Sequence, residues 1–311
     1  MNQSQPLQSL SRRGFLGVAA GTTVAATLAS ARSPRAVAAP LAAAAPLAGA
    51  TVDAKSYGVT NSLRAAKIAD GLYKMPLCTT IQKIYMSEGV FGSTPPRQMT
   101  QLAPAGCQFV VSAKPSRQLS SAEQNRLAQW LDMLNKAGMK YRIVLWQECN
   151  NSAFPKFDEW QAYWSYYAPV VQAAGVRCGY DAGCHIIARA VEFIPSSPQP
   201  DELWMDFYAS AYRQGVRLDP FLAAAQAAGI SSLGLAEWGF MAGNAIFNPV
   251  TIAWWDDFCN YLIFLANGGH LNLGAIFFGG IGHFGLVDVI TSPNDPRLPM
   301  LRRVSAAVKA G

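Results

Sequence analysis

The sequence predicts an α/β protein built as a (β/α)8 TIM barrel, and three observations carry that prediction. Short apolar runs recur eight times from residue 51 onward. Amphipathic helical patterns fall between them, the alternation expected of parallel βα units. The roughly 260 residues involved match the usual size of such a barrel. A doubly wound open sheet is the competing fold, but no GxGxxG or GxxxxGK[ST] follows an early run, so its nucleotide-binding versions lose support.

The strands are expected over residues 55–60, 82–86, 108–113, 142–148, 177–182, 203–209, 233–238 and 273–279. Ser120 and Glu123 form a capping-box pattern ahead of Leu127, Trp130, Leu131 and Leu134, which share one helical face, and Gly138 stands at the stop. Asp158 and Glu159 suit the first turn of a helix dense in aromatics. Asp219 and Pro220 open another helix, with Pro at its first position and Gly229 at its end. Pro249 begins a long apolar helix whose Asp256 and Asp257 argue against a membrane span, and residues 297–310 form the last one.

Residues 1–50 read differently. Arg12 and Arg13 precede an apolar stretch diluted by Gly and Thr, then Ala-rich sequence with small-residue cleavage sites at 36–38 and 48–50. This has the form of a twin-arginine export signal and linker ahead of one domain spanning 51–311, and it implies a secreted or extracytoplasmic protein. Its apolar run is shorter than the roughly 20 residues a spanning helix needs. Without its four arginines the 25 basic residues become 21 against 19 acidic, a net charge of +2. That leaves no basic footprint for nucleic acid. With 51% hydrophobic and only 14% charged residues, the chain favours a broad, well-filled core.

Six scattered cysteines include no CxxC pair, and the three histidines form no HExxH frame, so neither a metal nor another cofactor is expected. Export permits disulfides; Cys178 and Cys184 are the closest pair in sequence, and Cys149 could bridge to a neighbouring loop. Cys149 has no local histidine partner, which speaks against a thiol nucleophile.

In a TIM barrel the C-terminal strand ends face the active site. The polar residues expected there are Glu88, Lys114, Gln147, Glu148, Asp181, Asp206, Tyr208 and Glu237. The fourth run, "VLWQECNN", and the seventh, "LGLAEWGF", both place a glutamate beside apolar and tryptophan residues. Two carboxylates facing each other across one barrel mouth are what glycoside hydrolysis needs. One donates a proton to the departing sugar oxygen, and the other attacks or shields the anomeric carbon. Glu88 and Asp181 compete for the second role, but the glycines beside them suggest turns. For Glu148, the structural alternative is a strand-end residue paired with Arg142 or Lys114. Trp146 and Trp238 are candidate sugar platforms, or core. His283, in a Gly-rich stretch after the eighth run, could reach the site.

The two motifs resemble the fourth- and seventh-strand motifs of the clan A retaining glycoside hydrolases. Residues 193–212, "FIPSSPQPDELWMDFYASAY", are similar to the fifth-to-sixth-strand passage of the family 26 β-mannanases, in which an apolar strand ends in Asp-x-Tyr. The resemblance implies a β-linked polysaccharide substrate, Glu148 as general acid/base, Glu237 as nucleophile and Tyr208 beside it. Gln147, Trp146, Trp238 and Asp206 would then bind substrate. This chain departs from the pattern in three places. Gln147 stands where the family has Asn or His, Lys83 where the clan often has Arg, which removes bidentate support of the nucleophile, and Phe277 and Phe278 where a Trp is expected. These departures keep a non-catalytic carbohydrate-binding barrel open as the alternative.

Overall fold

A computed structural model describes residues 57–59, 81–86, 108–151, 153–240, 249–277, 281–282, 285–286 and 294–310. The expected export signal, Glu88, His283 and Phe278 lie outside the described residues. Eight parallel strands close into one barrel: β1 (Tyr57–Val59), β2 (Ile81–Tyr85), β3 (Gln108–Ala113), β4 (Tyr141–Leu145), β5 (Cys178–Gly183), β6 (Glu202–Tyr208), β7 (Leu233–Gly239) and β8 (Gly274–Phe277). Closure is made by β1 against β8, with Tyr57 opposite Ala275 and Val59 opposite Phe277. All eight strands overlap the runs expected from sequence.

The helices on the outside are α1 (Ser121–Lys136), α2 (Phe157–Ala173), α3 (Ile187–Glu192), α4 (Ala209–Arg213), α5 (Asp219–Ala227), α6 (Pro249–Asn267) and α7 (Arg297–Ala310). At the start of α1 the Ser120 hydroxyl accepts from the Glu123 amide at 3.3 Å, the cap the sequence predicts. The reciprocal half of the box is not made with Ser120, because the Glu123 carboxylate accepts from the Ser116 amide instead. Gly138 and Gly229 end their helices at φ 67° and 74°, where an L side chain would be strained. The short helices α3 and α4 leave no signal in the sequence, since six and five residues are too few to show a helical period. No helix among the described residues is long and apolar enough to cross a membrane.

Two apolar compartments result from the period-two alternation of the strands. Outward-facing side chains meet the helices in a large core that takes in Leu127, Trp130, Trp160, Trp164, Tyr167 and Trp255. A smaller cluster fills the barrel itself: Ile81, Val110, Val144, Trp204, Ala236, Leu273 and Ile276. Trp204 is the large member. Its ring lies so close to Gly234 and Gly179 that an added Cβ would stand 2.6 and 2.9 Å from it. Glycine at these two inward positions is therefore what lets an indole fit inside. Beneath it, Arg142 donates to Glu202 at 3.1 Å and Trp204 Nε1 donates to the same carboxyl at 2.7 Å.

The four described cysteines, 149, 178, 184 and 259, are free and buried. Cys178 and Cys184, the closest pair in sequence, are not bonded to each other, because both lie on or just beyond β5. Six residues of extended strand separate them by roughly 20 Å, and a disulfide tolerates less than 7 Å between Cα atoms.

Candidate active site

Strand β4 was expected to run through Glu148. It ends at Leu145, and the chain turns sharply, with Trp146 at φ 50° and Glu148 at φ 49°. Non-glycine residues held in the left-handed region cost about 1–3 kcal/mol each, so the surroundings must impose this geometry. They do so with several hydrogen bonds. The Trp146 amide donates to Ala113 O at 3.0 Å, and the Asn151 amide donates to Glu148 O at 3.0 Å. The buried Asn150 side chain both accepts from and donates to the Gly183 backbone, at 2.8 and 2.7 Å. This clamp joins the β4 turn to the end of β5. Gly183 is needed there because a Cβ would lie 2.8 Å from Glu148 Oε1 and from the Asn151 side chain.

On β7, alternation by itself would send Glu237 outward, since Gly234 and Ala236 face the barrel interior and Leu235 the helices. A register shift breaks the pattern. Met205 pairs with Leu235, but Asp206 pairs with Glu237. The extra residue is a bulge, and it turns Glu237 inward beside Ala236. Trp238 consequently points out. It is fully buried and packs near Phe240 and Phe258, so it is a core residue and not the exposed sugar platform considered from sequence. Trp146 is also packed, 7% exposed, with Phe154 and Tyr163 edge-on to its ring at 5.2 and 5.7 Å.

The centre of the site is Lys83, fully buried on β2. Its ammonium donates to Asp181 at 2.8 Å, Glu237 at 3.1 Å and Asp206 at 3.2 Å. Burial alone would pull the lysine pKa down; the three carboxylates outweigh it and raise the value. Support of Glu237 by a cation is thus retained, although not in the bidentate form an arginine gives. Asp181, expected in a turn, instead lies inside β5 and is fully buried against this ammonium. Its neighbouring glycine serves the close approach of Glu148 and not a turn.

Three buried carboxylates around one ammonium cannot all be ionised cheaply. Asp206 is pushed well above the usual carboxylate range by burial and then by Asp181 and Glu237. With every acid ionised, Asp181 Oδ1 has no donor among the described residues. A proton on Asp206 would lower the repulsion among the three acids.

Glu237 accepts from two further groups. The Tyr208 hydroxyl donates to Oε2 and the Gln147 amide donates to Oε1. Gln147 also donates to Asp206 at 3.1 Å. Its amide therefore faces the acid cluster, whereas the resemblance to the family 26 β-mannanases implies a contact with substrate. Glu148 is only partly buried, and its pKa is pushed up to about 7, first by desolvation and then by the charges of Glu237 and Asp181. Arg142, one structural partner weighed for it, is engaged with Glu202 below the site. Among the described residues no group of His, Cys, Asp and Glu is arranged to hold a metal ion.

Glu148, Glu237, Gln147, Tyr208 and Asp206 are therefore brought together, and Trp146 and Trp238 are packed away. Lys83, Asp181 and Asn150 complete the arrangement. No protein-family model and no curated protein sequence matches the chain. Solved structures do. The GH26 β-mannanase BoMan26A from Bacteroides ovatus superposes with a TM-score of 0.55 at 13% identity, over 83% of this chain and 90% of that one. The fold is the (β/α)8 barrel that these glycoside hydrolases also have. The catalytic domain of a GH26 endo-β-1,4-mannanase from Bacillus sp. JAMB-750 gives 0.54 at 10% identity, covering 81% and 85%. A GH5-4 broad-specificity endoglucanase from Bacteroides salanitronis gives 0.54 at 12%, covering 83% and 94%. At such identities the likeness is one of fold, and the chemistry has to be argued from the residues.

Proposed function

We propose that this chain is an exported retaining glycoside hydrolase that cleaves a β-linked polysaccharide, with Glu148 as general acid/base and Glu237 as nucleophile. The observation that carries the reading is the division of labour between the two acids. Glu148, raised to about 7, holds a proton near neutrality. Glu237 is surrounded by an ammonium, a phenol and an amide, the contacts that suit an ionised carboxylate.

In the first step a Glu237 oxygen bonds to the anomeric carbon as the glycosidic C–O bond breaks. Glu148 transfers its proton to the departing oxygen. In the second, Glu148, now ionised, takes a proton from water, whose oxygen bonds to the anomeric carbon and releases Glu237. Tyr208, Gln147 and Lys83 fix both oxygens of the nucleophile, so little reorganisation accompanies its change of charge. The solved neighbours named as mannanases and an endoglucanase make mannan and glucan the substrates to try first.

The test is reducing-sugar release from mannan and glucan panels by wild type, Glu148→Ala and Glu237→Ala, with the anomer of the first product read by NMR. An active wild type, loss of at least about 1000-fold in each variant and retained configuration support the proposal. Variants as active as wild type refute the residue assignment. Glycan binding with no turnover in wild type would favour a binding protein on a hydrolase barrel, a reading to which the enclosed Gln147 amide and the buried Trp238 lend weight.

A further inference from the structure

Glu148 changes charge during the proposed reaction: it starts neutral and ends the first step as a carboxylate. Burial, and then the charges of Glu237 and Asp181, oppose that ionised form. Ionising a half-buried acid is costly unless a cation faces it. At rest Glu148 is in no ion pair among the described residues, and the Asn151 side chain is its hydrogen-bonding neighbour. The Lys83 ammonium already serves Asp181, Glu237 and Asp206, and Arg142 is held by Glu202. Asp206, Tyr208 and Cys184 also feel the Glu148 charge, but burial raises the pKa of all three, so they offer it no positive charge.

Lys114 stands beside the turn that carries this acid. It follows directly after β3, where Ala113 O accepts from the Trp146 amide at 3.0 Å and the Ser112 hydroxyl accepts from the Gln147 amide at 3.4 Å. These bonds fix the turn, and Glu148 with it, against the strand end that leads into the lysine. The Lys114 ammonium lies 5.8 Å from the centre of the Trp146 ring. It is half-buried and makes no hydrogen bond or ion pair among the described residues. Burial and the Lys83 charge lower its pKa; Glu148, Glu237 and Asp181 work the other way, Glu148 the most strongly of the three acids. Arg117, the other cation near Trp146, is 5.3 Å from the ring centre and donates to Ala153 O.

We propose that Lys114 is a positioning residue for the proton donor: its ammonium becomes the counter-charge of Glu148 as that acid gives its proton to the departing sugar oxygen. Lys114 keeps its own proton throughout. Glu148 goes from neutral to anionic, and the attraction between the two appears only then. A flexible four-carbon stem lets the ammonium follow the new charge. An attraction that is weak at rest and strong in the transition state raises the rate and not the affinity. The inference rests on the glycosidase reading and deepens it.

The experiment compares two leaving groups on the same sugar. Dinitrophenolate departs without a proton, whereas phenolate needs one. The ratio of kcat/KM for phenyl over dinitrophenyl β-glycosides of manno- and cello-oligosaccharides therefore reports acid assistance by Glu148. At about pH 5, Lys114→Met should cut this ratio by about three-fold or more, the effect of losing one charge pair across a few ångströms of protein. Lys114→Gln should do the same, and Lys114→Arg should keep most of the ratio. The alkaline fall of kcat/KM on the phenyl substrate should move to higher pH in Lys114→Met. A ratio within one preparation is insensitive to partial misfolding. NMR of the labelled Glu148 carboxyl gives a second readout, with a titration midpoint about half a pH unit or more higher in Lys114→Met than in wild type. An unchanged ratio or equal midpoints overturn the proposal and leave the glycosidase reading intact; rates on both substrates that fall together would mark Lys114 as a substrate contact instead. A wild type that cleaves neither glycosides nor polysaccharides overturns both.

Discussion

Lys83→Met removes the one charge that three buried carboxylates share while nearly preserving the volume of the side chain. In the wild type the ammonium makes contacts of 2.8, 3.1 and 3.2 Å, and it and the two aspartate side chains have no exposure to solvent. Breaking a buried ion pair from one side costs about 3–5 kcal/mol, because the remaining charges stay desolvated. A domain has roughly 5–15 kcal/mol in total, so the variant should be folded but visibly weakened. The loss should depend on pH in a fixed direction. Without the ammonium, the native carboxyls hold their protons to higher pH, while unfolded Asp and Glu ionise at about 4. Native protein then binds more protons than unfolded protein above that value, so the variant loses stability as pH rises. Urea melts of wild type and variant at pH 4, 6 and 8 should show a deficit that is small at pH 4 and reaches about 3–5 kcal/mol at pH 8. A deficit below about 1 kcal/mol that is flat with pH would refute the idea that Lys83 neutralises the cluster.

The first cleavage step needs Glu148 protonated, so kcat/KM should fall as pH rises through about 7, the value burial and Glu237 impose; a pH–rate profile checks this. The same raised value means that Glu148 favours folding most below its ordinary 4.5, and that this contribution declines as pH rises to about 7. Glu148→Gln should therefore be more stable than wild type by up to about 3 kcal/mol at pH 8 and no more stable at pH 4, measured by urea melts. Gly234→Ala places a methyl group 2.6 Å from the Trp204 ring. It should cost at least about 1–3 kcal/mol, with part recovered by adding Trp204→Leu; a neutral Gly234→Ala would count against an indole filling the barrel. Tyr208→Phe removes a donor from Glu237 and should lower kcat by about 10- to 100-fold with little change in KM, the pattern of a contact that matters most in the transition state.

Much of the barrel was already legible along the chain. Apolar runs bounded by turn residues marked all eight strands, and capping and Pro/Gly signals marked α1, α5 and α6, because these features depend on neighbours a few positions away. Glu148, Glu237, Asp206 and Tyr208 were identified by their place at strand ends, which follows from βα alternation. The roles of their partners were not local. Lys83 and Asp181 are 98 residues apart, Lys83 and Glu237 are 154 apart, and only closure of the barrel makes one ammonium serve three acids. The direction of Glu237 depends on a one-residue shift between β6 and β7, and strict alternation would have exposed it to the helix layer and turned Trp238 inward. Asp181 and Gly183 read as a turn because an aspartate followed two residues later by a glycine often is one. In the folded chain the glycine makes room for Glu148, and the aspartate faces a lysine from across the barrel. Sequence alone determined which residues could form strands and which acids could sit at their ends, since both follow from short-range pattern. Tertiary structure decided which way those side chains point and which charges they meet, since a bulge, a left-handed turn and a shared ammonium exist only once distant segments are in contact.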